Sequence, residues 1–330
     1  MVDSQPSNSQ ITNPEIKKTE ITNATLDQLT IQTTADGSYT FWSETFGEAF
    51  HSNFGAKQEA EAKFMAPTHL LHQAKYKQQF HHPVRVLDVC YGLGYNSAAA
   101  IELCAAVGTD LEIIGLEWNP EVPRQVIREN LHHIWSEPVQ NCLTKLAHDQ
   151  QMEVVINSGT SEKPEQTCTI TGKLLIGDAR QTMQSIPAGW ADAIFLDPFS
   201  PPRCPQLWTV EFLTALAVRL APEGYLATYS CAGAVRGGLQ QAGLQIGSVA
   251  AVGRKSPSTV AAWQRDSIRY GALPDLSLAE AGLLKTRAGV PYRDLTGADT
   301  ASIIIARRQA EQKAVDLPSS SSVRKNLGWN

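Results

Sequence analysis

Four carboxylates in this chain stand at or just beyond the ends of apolar runs: Asp88 in VRVLDV, Glu117 after LEIIGL, Asp178 after KLLIG and Asp197 after AIFL. Short apolar runs bounded by turn residues read as buried strands. In open parallel α/β sheets ligands bind outside the carboxyl ends of the strands, so acids placed there face a reaction site rather than a core. The most suggestive is Asp197, which opens Asp197-Pro198-Phe199-Ser200-Pro201 and leads through Pro205 to Trp208. It sets a carboxylate beside an aromatic ring on a proline-stiffened loop, an arrangement suited to accepting a proton or holding an N–H donor.

The loop Asp88-Val89-Cys90-Tyr91-Gly92-Leu93-Gly94 lies between the first of these strands and the next helix. Glycines there let the backbone pass close to a ligand. Glu117, ending the second strand, can accept hydrogen bonds from both ribose hydroxyls of an adenosine ligand. Gly177-Asp178-Ala179, ending the third, can receive the adenine amino group. Each feature alone has a plain alternative, whether a tight turn, a solvated strand end or a Gly-Asp turn pair. Their recurrence at three successive strand ends favours an adenosyl ligand. The dinucleotide fingerprint GxGxxG requires glycine at position 97, where Ser97 stands, so S-adenosylmethionine is the better match. Asp88, Cys90, Tyr91, Asn96, Trp118, Ala179 and Asp197 complete the expected cofactor contacts.

The elements that must position these groups alternate between strand and helix. Helices are predicted over Ala56 to Tyr76, Asn96 to Ala106, Pro120 to His132, Pro205 to Leu220 and Ala232 to Ala242, with a further strand over Gly224 to Tyr229. Such alternation implies an α/β fold with a doubly wound, mostly parallel sheet. Gly243 to Ala251 and Thr259 to Trp263 read as an antiparallel pair closing a sheet of seven strands. Ahead of it, Ile31 to Ser43 carries a hairpin signal around Asp36-Gly37. The pattern Thr296-Gly297-Ala298-Asp299 before an apolar run suggests the cap of a final helix.

The expected division is a disordered tail over 1–30, a hairpin and helix over 31–82, a catalytic domain over 83–265, a C-terminal helical extension over 266–313 and a second disordered tail over 314–330. Residues 149–171 read as a polar, irregular insertion within the catalytic domain. The formal net charge of -5 gives no global attraction to phosphate, so a nucleic-acid partner would need a local basic patch. Six scattered cysteines without metal-site spacing point to reduced thiols, a cytoplasmic setting and no metal. The polar N-terminus lacks a signal-peptide pattern, and no apolar run approaches membrane-spanning length.

Three blocks carry a family resemblance: DGSYTFWSETFGEAFHSNFGAKQEAEAKF (Asp36 to Phe64), LDVCYGLGYNS (Leu87 to Ser97) and DAIFLDPFSPPRCPQLWTVEFL (Asp192 to Leu213). GRKSP (Gly253 to Pro257) and TRAGVPYRDLTGAD (Thr286 to Asp299) add a weaker fourth match. With them the chain resembles class I S-adenosylmethionine-dependent methyltransferases of Rossmann-like fold. Within these it resembles the single-domain form of the tRNA 5-methylaminomethyl-2-thiouridine (MnmC-like) methyltransferases, without the oxidase half. Cys90 replaces the first glycine of that family's usual DxGxGxG loop, and Arg203-Cys204 stands where the family often has Lys-Asn.

The resemblance implies N-methylation of a primary amine on the wobble uridine of tRNA. Asp197 would orient the neutral amine and handle its proton, while Phe199 and Tyr91 are candidates to line the methyl-transfer pocket. Glu48, His51 and Ser52 could touch the cofactor or the base, although His51 alone reads as a structural histidine. His69, His72, His81, His82, His132 and His133 read as surface groups. Arg203, Arg254, Lys255, Arg287, Arg293, Arg307, Arg308 and Lys313 are candidate contacts to the anticodon region. The protein is expected to act as a monomer. Two alternatives stand beside this reading: a class I methyltransferase acting on a small-molecule or protein amine, and a catalytically inactive cofactor- or RNA-binding protein.

Overall fold

The computed structural model describes residues 28–160, 163–252, 256–267 and 269–322. Residues 1–27 and 323–330 of the two expected tails lie outside the described residues, as do Arg254 and Lys255. Leu29 and Thr30, assigned to the first tail, already belong to a strand.

The N-terminal unit is a three-stranded antiparallel sheet of β1 (Leu29–Thr33), β2 (Tyr39–Ser43) and β3 (Glu48–Ala49). The hairpin turns at Asp36-Gly37, where Gly37 takes φ 80. Asp36 fixes the turn by accepting from the Ser38 amide at 3.0 Å and the Thr34 hydroxyl at 2.8 Å. The single helix expected over Ala56 to Tyr76 is instead α1 (Ala56–Glu59), a π-helical stretch (Ala60–Met65) and α2 (Leu70–Gln78). Pro67 has no amide to continue the ladder, and His69 beyond it turns left-handed at φ 53.

The main sheet comprises β4 (Val84–Val89), β5 (Leu111–Glu117), β6 (Gln151–Thr160), β7 (Lys163–Ile176), β8 (Ala191–Leu196), β9 (Leu220–Thr228), β10 (Gln245–Val249) and β11 (Ser258–Ala262). Its order is β10-β11-β9-β8-β4-β5-β7-β6. The pairings among β9, β8, β4, β5 and β7 are parallel, and β6 and β11 run against their neighbours. The doubly wound fold is as expected, but there are eight strands, not seven. The extra one comes from the stretch read as irregular, because 151–160 and 163–171 pair antiparallel within β6 and β7. Met152, Ile156, Cys168 and Ile170 point into the core while Glu153, Val155, Asn157 and Thr167 face out. That is a period-2 pattern whose solvated face makes it look merely polar.

The connecting helices are α3 (Tyr95–Val107), α4 (Glu121–Arg128), α5 (Glu137–Asp149), α6 (Ala179–Thr182), α7 (Val210–Arg219) and α8 (Gly233–Gln241). The C-terminal extension adds α9 (Leu278–Leu284) and α10 (Ala301–Ala314). Thr296 does not cap α10. The helix starts after Thr300, and the Thr296 hydroxyl instead donates to Asp299 at 2.8 Å inside a turn organised by the buried Asp294. Two apolar clusters fill the faces of the sheet, one containing Val86, Ile101, Leu111 and Phe195, the other Leu87, Ile194, Trp208 and Leu239. Of the histidines read as surface groups, His132 is buried at 8 % exposure and His69 is half-buried against the Tyr225 ring at 5.0 Å.

Candidate active site

Chain order leaves β4 to one side for β5 and β7 and to the other for β8 and β9, so the switch point of the sheet lies between β4 and β8. Asp88 pairs with Phe195 and Val89 with Leu196 across that junction, which brings the glycine loop and the Asp197 loop side by side. A crevice opens at such a point in doubly wound sheets.

On the β4 side the chain turns sharply. Cys90 has φ 67, Gly92 φ 54 and Gly94 φ 78. Cys90 thus takes the left-handed conformation that glycine ordinarily supplies, at a cost of about 1–3 kcal/mol. A Cβ on Gly94 would stand 2.5 Å from the Tyr91 hydroxyl, so glycine is required for the Tyr91 ring to lie beneath the loop. Tyr91 is consequently only 4 % exposed and packs in the core, which corrects its expected place as a pocket wall.

Glu117 ties this loop to β5. One carboxylate oxygen accepts the Gly92 amide at 2.8 Å and the other the Asn119 amide at 2.8 Å. Burial pushes its carboxyl up, against the pull of those amides. Each oxygen keeps acceptor capacity toward the crevice, as a ribose diol requires. Trp118 beside it is exposed at 59 %.

Asp88 is fully buried, with one oxygen accepting the Ser97 hydroxyl at 2.7 Å and the other, Oδ1, without a partner. Burial drives its carboxyl up to about 7, with the Asp197 charge adding and the Ser97 bond opposing. A buried acceptor left open beside a glycine loop fits the ammonium end of an amino-acid ligand. The Ser97 that breaks the dinucleotide pattern therefore has its own task, which sequence spacing did not reveal.

Gly177, at φ 136, ends β7, and its amide donates to the Glu117 carbonyl at 2.8 Å. Asp178 starts α6 by accepting the Arg180 amide at 2.9 Å, with the buried Ala179 beside it, and its carboxylate is gripped by the Arg180 guanidinium at 2.7 Å. Arg180 also reaches Asp294 at 2.8 Å and the Asp299 carbonyl at 3.1 Å, so the C-terminal extension braces the turn after β7.

On the β8 side the Asp197 amide donates to the Val89 carbonyl at 3.1 Å, and the Asn96 amide nitrogen donates to its carboxylate at 3.0 Å. Asn96, expected among cofactor contacts, thus sits on the acid. The Phe199 ring stacks on Phe46 at 4.2 Å and 20° and meets the edge of Phe50 at 4.9 Å. Phe50 in turn lies beside Gly92. Phe46 and Phe50 were missed from the sequence, because β3 is too short to advertise which loop it approaches. The Trp208 indole and the Tyr229 hydroxyl hold the carbonyls of Phe199 and Pro198 at 2.9 and 2.8 Å.

The expected substrate groups divide. Glu48 is bonded to Ser200, accepting from its amide at 2.9 Å and from its hydroxyl. Ser52 donates to Glu59, which pairs with the buried Lys63 at 2.6 Å. His51 stacks on Tyr95 at 5.5 Å, and burial lowers its pKa to about 4. Ser52 and His51 therefore support the N-terminal unit. Arg293 pairs with Glu211 at 2.7 Å, Arg307 with Asp299 at 2.8 Å, and Arg308 donates to the Val290 carbonyl at 2.7 Å. These three serve the fold, whereas Arg203, Arg287 and Lys313 are exposed.

A sheet with acids at these strand ends and a glycine loop at its switch point defines an S-adenosylmethionine-dependent methyltransferase. Residues 130–264, which include the Asp197 loop, match the family model described as S-adenosyl-L-methionine-dependent methyltransferase. The crystal structure of MNMC2 from Aquifex aeolicus superposes with a TM-score of 0.71 at 30% identity, over 89% of this chain and 88% of that one. The chain belongs to the MnmC-type methyltransferase family, and its cofactor is S-adenosylmethionine. An uncharacterized protein of Methanocaldococcus jannaschii is 28% identical over 285 residues, 85% of this chain and 71% of that protein. The bifunctional tRNA 5-methylaminomethyl-2-thiouridine biosynthesis protein MnmC of Azoarcus sp. is 29% identical over 218 residues, covering 65% of this chain and 32% of that protein. The chain thus spans about a third of that bifunctional relative's length. Among the described residues no helix is long and apolar enough to cross a membrane.

Proposed function

We propose that the protein transfers a methyl group to the primary amine of 5-aminomethyl-2-thiouridine at the wobble position of tRNA, giving the methylaminomethyl base. The observation that carries this reading is the Asp197 carboxylate, held by Asn96 across the switch point from the glycine loop and flanked by the Phe199, Phe46 and Phe50 rings. The names of the bifunctional relatives support the choice of amine.

An alkylammonium has no lone pair, so the site must present the amine neutral. Bound S-adenosylmethionine supplies an electrophilic sulfonium methyl. Asp88, Glu117 and Asp178, with the Gly92 to Gly94 backbone, would hold its ammonium, ribose and adenine ends. Asp197 accepts an N–H from the amine and takes up the proton displaced as the new N–C bond forms and the S–C bond breaks. The rest of catalysis is alignment, which supplies on the order of 7–11 kcal/mol. Aromatic faces near Phe199 suit both a splayed base and the sulfonium charge. Exposed Arg203, Arg287 and Lys313 are available for phosphate contacts outside the pocket.

The test is incubation with labelled cofactor and tRNA that carries the unmethylated aminomethyl-uridine, followed by digestion to nucleosides. Label on the methylaminomethyl nucleoside is expected. Label on another nucleoside, or methylation only of free amines, overturns the assignment.

A further inference from the structure

The Asp197 loop is held from two directions. The body of the domain holds its first part, through the Val89 carbonyl, Asn96, Trp208 and Tyr229. Its far side turns on Ser200, whose carbonyl accepts the amides of Arg203 at 2.8 Å and Cys204 at 2.9 Å. The amide and hydroxyl of Ser200 are both taken by Glu48, which reaches over from β3. The same carboxylate lies 4.0 Å from the Arg203 guanidinium, and its side chain is 30% exposed. Phe46, two residues earlier, stacks on Phe199, so one short segment grips the loop by charge and by ring contact.

We propose that Glu48 is a positioning residue for methyl transfer: by fixing Ser200 it sets the distance of Asp197 and Phe199 from the reacting amine without touching substrate or cofactor. The proposal rests on Asp197 being the acceptor-side acid. Two hydrogen bonds to one carboxylate are of the strong, charge-assisted kind. A displacement of about 1 Å in a reacting constellation can cost about 10²-fold in rate. A residue that binds substrate would act mainly on KM, whereas one that aims another residue acts on kcat.

The experiment compares wild type, Glu48→Ala, Glu48→Gln and Ser200→Ala in cofactor affinity, acceptor kinetics and backbone hydrogen exchange over residues 197–204. Glu48→Ala is expected to lower kcat about 10²-fold, with acceptor KM and cofactor Kd changed less than about threefold and with faster exchange in the loop. Glu48→Gln, whose amide can still accept the Ser200 N–H and donate to its hydroxyl, restores most of the rate, and Ser200→Ala gives a smaller loss of the same kind. A raised KM at unchanged kcat overturns the proposal, as does unchanged loop exchange in Glu48→Ala. Should Glu48→Ala fail to fold, Glu48→Gln and Ser200→Ala decide by the same two readouts. Absence of tRNA methylation by the wild type would count against the function, while loop exchange would still decide whether Glu48 holds Ser200.

Discussion

The cofactor side of the site is built from strand ends and the turns that immediately follow them, whereas the acceptor side is assembled from segments far apart in the chain. Asp88, Glu117 and Asp178 sit where β4, β5 and β7 stop; the amides of Asn119 and Arg180, each two residues on, hold Glu117 and Asp178, and the Gly92 amide joins Glu117 from the neighbouring β4 loop. Asp197 also ends a strand, yet what surrounds it comes from Asn96 on α3, Phe46 and Glu48 on the N-terminal sheet, and Tyr229 beyond β9. On the proposed assignment, cofactor recognition would be largely local, and acceptor geometry would depend on how the added N-terminal unit docks. The C-terminal extension acts on the other side, through Arg180, as a brace for the Asp178 turn.

The largest effect expected from breaking this division is on that brace. Arg180→Ala leaves Asp294, whose side chain is 1% exposed, buried without its ion-pair partner. Loss of one partner of a buried pair costs about 3–5 kcal/mol, readable by denaturant unfolding. A fully stable variant would mean that the extension is not held through this contact.

Glu117→Ala is next. It removes two bonds to a charged acceptor, each about 1.5 kcal/mol, and cofactor Kd should rise about 100-fold by calorimetry. Turnover at saturating cofactor should change little. Lost turnover with unchanged Kd would contradict the separation of the two sides.

The effect that is smallest per step, about 1.4 kcal/mol for each pH unit, concerns Asp88. Its native pKa, about 7, lies above the ordinary aspartate value of 3.8, so the native state keeps its proton longer than the unfolded chain. Stability from this group is complete below about pH 4 and is lost as pH rises toward 7. In the cofactor-free protein Asp88→Asn should gain stability over wild type across that window while binding cofactor more weakly. A stability gap that does not change between pH 5 and pH 7.5 would show that Asp88 is ionised throughout.

The same division explains what the sequence made legible. Apolar runs ending in acids located the strands, the switch point and the acids at the strand ends, because each signal is contained in a few consecutive residues. The antiparallel pair of β6 and β7 was hidden because its outer face is polar, and the break in the first long helix was hidden although Pro67 marks it. The partners of the acid loop were harder still. Nothing near Glu48 in the chain indicates that it meets Ser200, and nothing near Arg293 or Arg307 indicates that Glu211 and Asp299 occupy them. Charge counted along the chain therefore overstated the basic surface open to RNA.

The central proposal, that Asp197 acts on the acceptor amine beyond any contact with the cofactor, is tested most directly by Asp197→Asn. Single-turnover methylation of aminomethyl-uridine tRNA is measured beside calorimetric cofactor binding. The account predicts a rate lowered by about 10²–10⁴-fold, the range of general acid–base catalysis, with cofactor Kd within about threefold of wild type. A wild-type rate, or a rate lost only in step with cofactor affinity, would contradict it.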